Sequence, residues 1–365
     1  MTRIDRIDTF LREQVVLVRV TTDDGHEGWG QAAPYQAGLT EQVLHEMVAP
    51  LFLGQDPWDV EALVNNALRK NHKFLGGFLH RAVGGIDTAL WDLNAKAAGV
   101  PVYKLLGGAA RTSVPVYVSS MIRTTTPQEE VARIKDQIAD KGYRAVKTRV
   151  GAEMMADIDA WPGRTEEIIP VMRDVLGDDI ELSADANGGF SVGRAVRVGR
   201  MLEDYGYFHF EEPLPYPDIE GTAHVTATLD IPVSGGEQDY SLSQFRRMLA
   251  MRAVDIVQPD VGYIGGVSRA RKVAIMAEAA GIPCTPHCAN HSLLQVFCLH
   301  LAVAMPSVSQ YQEWSAEYPA WERDLYSPLP EVVNGELAAP TLPGWGVEID
   351  SGFLSTATSR SSVLA

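Results

Sequence analysis

Cysteine is scarce in this chain of 365 residues, which has three: Cys284, Cys288 and Cys298. An odd, small number leaves no even disulfide framework and suits a reducing compartment. Cys284, His287, Cys288 and His291 superficially suggest a zinc site, but Cys284 falls within a predicted strand and the spacing matches no usual finger. Positive charge is also short. Lys and Arg total 31 against 47 Asp and Glu, a formal net charge of −16, which argues against nucleic acid or an anionic membrane as a partner. An anionic substrate must therefore be drawn in by local cations. No run approaches the ~18 apolar residues of a membrane span, and the first ten residues, with Arg3, Asp5, Arg6 and Asp8, contain no apolar core of a signal peptide. A soluble, cytoplasmic protein is expected. Low-complexity segments are absent, and no repeat beyond a strand-helix period is visible.

What the chain does have is an aromatic, apolar run closed by acid, Tyr207-Phe208-His209-Phe210-Glu211-Glu212-Pro213. It reads as a buried strand whose C-terminal end opens onto something that needs negative charge. Five more runs end in the same way. Asp185, Glu211, Glu237, Asp260, His287 and Glu313 follow one another at intervals of 23 to 27 residues, each closing an apolar run such as Ile180 to Ala184, Ile231 to Ser234, Val254 to Val257, Ile282 to Thr285 and Val308 to Gln312. About 25 residues accommodate one strand, one helix and two short loops. Functional groups at the C-terminal ends of successive strands are how a (β/α) barrel builds an active site.

Ahead of these lie two more barrel strands, Val114 to Val118 and Arg144 to Arg149, which bring the count to eight. Amphipathic helices are predicted over 128–141, 164–176, 192–205, 243–251, 267–280 and 292–304. The first part of the chain is different. It reads as β-structure over 3–10, 15–20 and 27–30, with Asp24-Gly25 as a hairpin turn, then helices over 41–51, 59–68 and 82–98, the last stopped by Gly99. The expected organisation is an α+β capping domain over 1–112, a TIM-type barrel over 113–318, and a C-terminal segment over 319–365 that returns to the cap through a β-like stretch at 343–349.

Asp185, Glu211 and Glu237 would converge from three successive strands and offer only hard oxygen ligands, for which Mg2+ is the simplest occupant. Lys147 and Arg149, two residues apart on one strand, point to the same side. They can meet a substrate carboxylate together or play separate parts. Arg149 stays protonated, whereas Lys147 becomes a candidate base if neighbouring cations lower its pKa. Asp260 and His287 would lie side by side, the acid fixing the imidazole tautomer and leaving the other nitrogen free for proton transfer. Glu313, if protonated, can hydrogen-bond a substrate carboxylate.

Several motifs taken together resemble the enolase superfamily, mandelate racemase subgroup. They are Ala89-Leu90-Trp91-Asp92-Leu93 with Pro101 and Leu105-Leu106-Gly107-Gly108, the Asp185-Ala186-Asn187 turn, Glu211-Glu212-Pro213, Gly236-Glu237, Gln258-Pro259-Asp260 with Gly265-Gly266-Val267, and Pro343-Gly344-Trp345-Gly346. The likeness covers nearly the whole chain. It implies a (β/α)7β barrel with a capping domain, one Mg2+ on the three carboxylates, a His-Asp dyad, and a first step that removes the proton α to a carboxylate. Many relatives carry Lys-x-Lys where this chain has Lys147-Thr148-Arg149, so the second lysine base is missing. That favours one-base dehydration of an acid sugar over racemisation or epimerisation; lactone cycloisomerisation and a non-catalytic acid-binding oligomer are the other readings. The turn at Leu11 to Gln14 is short where relatives carry a specificity loop. Substrate selection is therefore expected from Asn187, Tyr35 and the segment containing Lys73, His80 and Arg81, or from a neighbouring subunit. The partners expected are a small-molecule carboxylate and further copies of the chain as a homo-oligomer.

Overall fold

Two apolar runs separated by Glu13 and Gln14 form a tight hairpin, β1 (Ile4–Arg12) against β2 (Val15–Thr22), with Glu13 at a φ of 51°. The computed structural model describes residues 2–308 and 310–364. The chain turns again at Gly25, φ 86°, into β3 (Glu27–Ala32). A 21-residue helix, Gly77–Ala97, lies directly on this sheet. It starts at Gly77, earlier than the predicted position 82. The close approach depends on Gly28 and Gly30 of β3, because a Cβ on either would run into the helix backbone at Ala89.

The Ala89-Leu90-Trp91-Asp92 and Pro343-Gly344-Trp345 motifs meet at a buried junction. Asp92 accepts hydrogen bonds from the backbone N–H of Trp29 and of Trp345, each at 2.8 Å, while Lys96 pairs with it at 2.7 Å. The Trp345 indole donates to the carbonyls of Trp29 and Thr88. The C-terminal segment thus returns to the first sheet, but not by the expected strand. Residues 348–349 pair instead with Tyr326–Ser327, and the fourth strand of the first sheet is Thr358–Val363, antiparallel to β1. That edge strand is polar and largely exposed, so it carries no alternating pattern to read.

The second sheet is a curled parallel one. β4 (Ser113–Ser119), β5 (Ala145–Arg149), β6 (Glu181–Asp185), β7 (His209–Glu211), β8 (Val233–Gly235) and β9 (Ile256–Val257) follow in order, and β10 (Gln312–Ser315) pairs with β4 on its other side. Every residue of β5 is buried, as expected of a strand covered on both faces. The tail adds β11 (Tyr326–Ser327), β12 (Glu336–Ala338), which pairs with β4, β13 (Glu348–Ile349) and β14 (Thr358–Val363). The architecture is a TIM-type barrel with an N-terminal α+β cap.

Two predicted strands come out differently, and one helix appears that was not predicted. The seventh strand, expected over 282–285, is reduced to bridges from Cys284 to Val257 and to Val308, with a further one between Asp260 and His287; Pro283 and Pro286 lack the N–H a longer ladder needs. The eighth strand begins at Gln312, so Glu313 sits inside it, not past its end, and Ser309 of the expected run lies outside the described residues. A helix over Ile219–Thr228, capped by Asp218, fills the interval after β7 where none was predicted. Thr-rich and only weakly amphipathic, 219–228 offers little helical periodicity. No helix among the described residues is long and apolar enough to cross a membrane.

Candidate active site

Parallel register brings the strand-end residues into line. Arg149 stands opposite Asp185, and Asp185 opposite Glu211, while Glu237 follows β8 through Gly236, whose φ of 118° only glycine adopts readily. Asp185, Glu211 and Glu237 each bring one carboxylate oxygen within 4.8 Å of the others, and all three are buried. Glu211 Oε2 and Glu237 Oε2 are buried without a hydrogen-bond partner. Buried carboxylate oxygens without hydrogen bonds are costly, and this all-oxygen set fits a hard divalent cation such as Mg2+.

Lys147 is fully buried, with Nζ 2.7 Å from Glu211 Oε1, 2.7 Å from Glu313 Oε1 and 3.3 Å from Asp185 Oδ2. Arg149 lowers its pKa as expected, but the net lowering that would make Lys147 a base is corrected here. Burial pulls Lys147 down and Arg149 adds to that, but the carboxylates of Glu211 and Glu313 outweigh both and hold it above its usual value. Arg149 pairs with Asp185 Oδ2 and donates to Asn187 Oδ1 at 2.7 Å and to the Ser120 carbonyl at 3.0 Å.

Asp260 Oδ2 lies 2.8 Å from His287 Nδ1, and its other oxygen accepts the Tyr263 N–H. His287 Nε2 lies 3.2 Å from Glu237 Oε2 and 3.7 Å from Glu313 Oε2. The short contact to Glu237 is an ion-pair distance without the alignment of a hydrogen bond, so both groups keep capacity for another partner. Burial favours neutral imidazole, but Glu237, Glu313 and Asp260 together raise the His287 pKa well above its ordinary value. The three carboxylates thus shift His287 upward from the poise near neutrality expected of an unperturbed imidazole.

Glu313 is also corrected. Its Oε1 accepts from Ser119 and Lys147 and its Oε2 from the Cys288 N–H, and although burial raises its pKa, Lys147 and His287 bring it below the usual range. It is an ionised counter-charge between Lys147 and His287, not a neutral donor. Glu212, by contrast, is buried with neither carboxylate oxygen bonded, and burial followed by Glu237 and Glu211 pushes its pKa far up.

The selection residues are less gathered. Tyr35 is 54% exposed at a φ of 66°, and its hydroxyl feels Glu322, His287, Asp260 and Arg149, which puts it over the barrel mouth. Arg81 donates to the Pro34 carbonyl and stacks on Tyr263, tying the Tyr35 turn to the short helix Val261–Ile264 that Asp260 caps. His80 is engaged elsewhere. Its ring bonds the Gly76 carbonyl and packs on Tyr240, and burial lowers its pKa to about 4, a structural environment. Lys73 lies exposed in a single helical turn, His72–Phe74. Asn187, at a φ of 42°, accepts from Arg149 and also from Arg123, a residue that sequence reasoning missed because it lies in the loop after β4, outside the strand-end series.

Residues 129–352 match the model for the enolase C-terminal domain-like family, and residues 6–107 match that for the mandelate racemase/muconate lactonizing enzyme N-terminal domain. The chain belongs to the mandelate racemase subgroup of the enolase superfamily. Within that family it is 30% identical to the arabinonate dehydratase of Saccharolobus solfataricus over 93% of this chain and 89% of the relative. A solved structure from Roseobacter denitrificans, described as a candidate racemase, superposes with a TM-score of 0.97 at 47% identity over 99% of this chain and all of the other. A mandelate racemase/muconate lactonizing protein from Paracoccus denitrificans, solved with magnesium, gives 0.90 at 31% identity over 99% of this chain and 98% of that one.

Proposed function

We propose that the chain is a Mg2+-dependent acid-sugar dehydratase that removes the proton α to a carboxylate and expels the β-hydroxyl, giving a 2-keto-3-deoxy acid. The observation that carries this reading is the inequality of its two basic side chains. Lys147 is locked between Glu211 and Glu313, whereas His287 is oriented by Asp260 with Nε2 directed at the carboxylate cluster. Carboxylates raise the proton affinity of both, but Lys147 Nζ is engaged by Glu211 and Glu313, whereas His287 Nε2 makes no aligned hydrogen bond and is the nitrogen open to exchange a proton.

Asp185, Glu211 and Glu237 would hold the cation. Mg2+ there would supply positive charge that offsets the pull of Glu237 on the His287 proton and of Glu211 on the Lys147 proton, while Glu313, outside the triad, still pairs with Lys147. Lys147 and Arg149 add fixed positive charge where the enediolate develops; one such pre-placed donor contributes roughly 3 kcal/mol. Asp260 holds the proton on Nδ1, so Nε2 is the atom that takes the α-proton. The electron pair left by that C–H bond passes into the carboxylate as the enediolate and then returns to form the double bond between the α and β carbons as the β C–O bond breaks, while the proton on Nε2 goes to the departing hydroxyl, which leaves as water. The resulting enol becomes the 2-keto acid. No redox partner is needed. The similarity to an arabinonate dehydratase supports the reaction class.

The likeness to a candidate racemase at 47% identity favours epimerisation as the second reading. It needs Lys147 to give up and regain a proton, against the two carboxylates that hold it. Acid sugars incubated with enzyme and Mg2+ separate the two: a 2-keto-3-deoxy product supports the dehydratase, while an α-deuterated epimer in D2O without keto product supports the epimerase.

A further inference from the structure

Arg123 is a guanidinium beside the barrel mouth that pairs with no carboxylate among the described residues and keeps a buried N–H unsatisfied. It follows β4, and its Nη2 donates to Asn187 Oδ1 at 2.6 Å, the same neutral oxygen that takes Arg149 at 2.7 Å. Its Nε is buried with no hydrogen-bond partner, and no described carboxylate lies within the 4.0 Å of an ion pair. Neighbouring acids are already taken: Glu130 and Glu317 both pair with Arg133, at 2.8 and 2.9 Å. A third guanidinium, Arg164, lies behind, bonded to the carbonyls of Arg149 and Thr125. Burial, then Arg149 and Arg164, lower the Arg123 pKa to about 9, and Glu237 across the mouth opposes them. Positive charge is thus crowded at one point of a chain whose net charge is −16. Crowding of this kind is costly unless an anion arrives.

We infer that Arg123 binds a second carboxylate of the substrate, at the end remote from the reacting carbon, and that the preferred substrates are sugar diacids over the corresponding monoacids. This rests on the dehydratase reading for the chemistry, but not for the anion site. The path Asp185, Arg149, Asn187, Arg123 leads outward from the carboxylate triad by successive hydrogen bonds. A substrate with one carboxylate at the triad therefore extends its far end toward Arg123. A planar carboxylate matches the fork of a guanidinium, whereas the terminal hydroxyl of a monoacid leaves its charge unanswered. Asn187 holds Arg123 and Arg149 in one frame, so the far end of the substrate and the developing charge at its near end are positioned together.

The test compares matched pairs, galactarate with galactonate and glucarate with gluconate, with Mg2+ present. Calorimetric affinity is measured on the full chain carrying His287→Asn, with and without Arg123→Met, and turnover on the wild type. In at least one pair the diacid should bind about 10- to 100-fold more tightly, as a charge-assisted hydrogen bond allows, and Arg123→Met should erase that advantage while leaving Mg2+ affinity unchanged. Arg123→Gln, which keeps a donor for Asn187, should lose the preference equally and guards against misfolding. Monoacids binding as well as diacids in both pairs, no diacid binding, or a preference that survives both variants would overturn the inference. A retained diacid preference without any keto product would instead remove the dehydratase reading and leave the anion site standing.

Discussion

On the barrel side Lys147, Asp185, Glu211 and Glu313 are wholly buried and bonded to one another, while on the cap side Tyr35 is 54% exposed on a left-handed backbone and Phe74, beside Lys73, is 67% exposed. The barrel residues are fixed by parallel register, each strand setting the next, and their charges can move little without leaving a buried ion unpaired. The cap residues hang from a turn held by Arg81 against Pro34 and Tyr263. The difference points to proton transfer in the buried barrel cluster and to adaptation in the groups around its mouth. Changes in the buried cluster should abolish the reaction, whereas changes at Tyr35 in the cap or at Arg123 in the loop after β4 should redistribute it among substrates.

The largest effect should come from His287→Asn, which leaves metal binding in place and removes the proton-transfer group. A loss of ~10^2 to 10^4 in turnover is expected in a keto-acid assay. Lys147→Met should follow, with kcat reduced ~10^2 to 10^3 and substrate affinity less affected, because its charge counts most in the transition state. A Lys147 variant with normal kcat would break the proposed division between a fixed cation and a moving proton. Trp345→Ala, at the junction of the C-terminal segment with Trp29 and Asp92, should cost about 3 to 5 kcal/mol in urea unfolding.

Those barrel residues were legible because one polar group recurs at each strand end and the intervals are even. The ion pairs among them were not. Whether Arg149 or Glu313 lies nearer to Lys147 depends on register across the barrel, and the two have opposite effects on its proton. The shortened seventh strand was hidden by apolar composition, since Ile282 to Thr285 reads as a strand whether or not its prolines allow pairing. The polar edge strand β14 and the threonine-rich helix at 219–228 were invisible for the reverse reason, having little periodic apolar signal. Arg123 escaped because a loop cation has no period at all.

Acid sensitivity offers a smaller test of the cap. His45, buried between Thr9 of β1 and Ser362 of β14, has its pKa lowered to about 4 by burial, with Arg360 adding to the effect. Below its unfolded value of ~6.5 the unfolded chain binds the proton and the folded one does not, so stability contributed by the neutral ring is present above that pH and is lost as pH falls toward 4. The loss should be on the order of 2 kcal/mol between pH 6.5 and 4 and should be absent from His45→Gln. Asp87, buried within the helix Gly77–Ala97, has the opposite sign. Burial raises its pKa to about 7, so it costs stability as pH rises toward 7. The smallest effect expected is from Tyr35→Phe, a change of a few fold in KM that differs among acid sugars while kcat on the best of them is kept.

The central claim is that His287, oriented by Asp260, moves the proton while Lys147 holds its own. Exchange of the α-hydrogen of a turned-over acid sugar with D2O, followed by NMR with Mg2+ present, reads that step directly. The wild type should exchange or eliminate, and His287→Asn should do neither while still binding Mg2+ and ligand. Exchange at the wild-type rate in His287→Asn would contradict the account and move the base to Lys147.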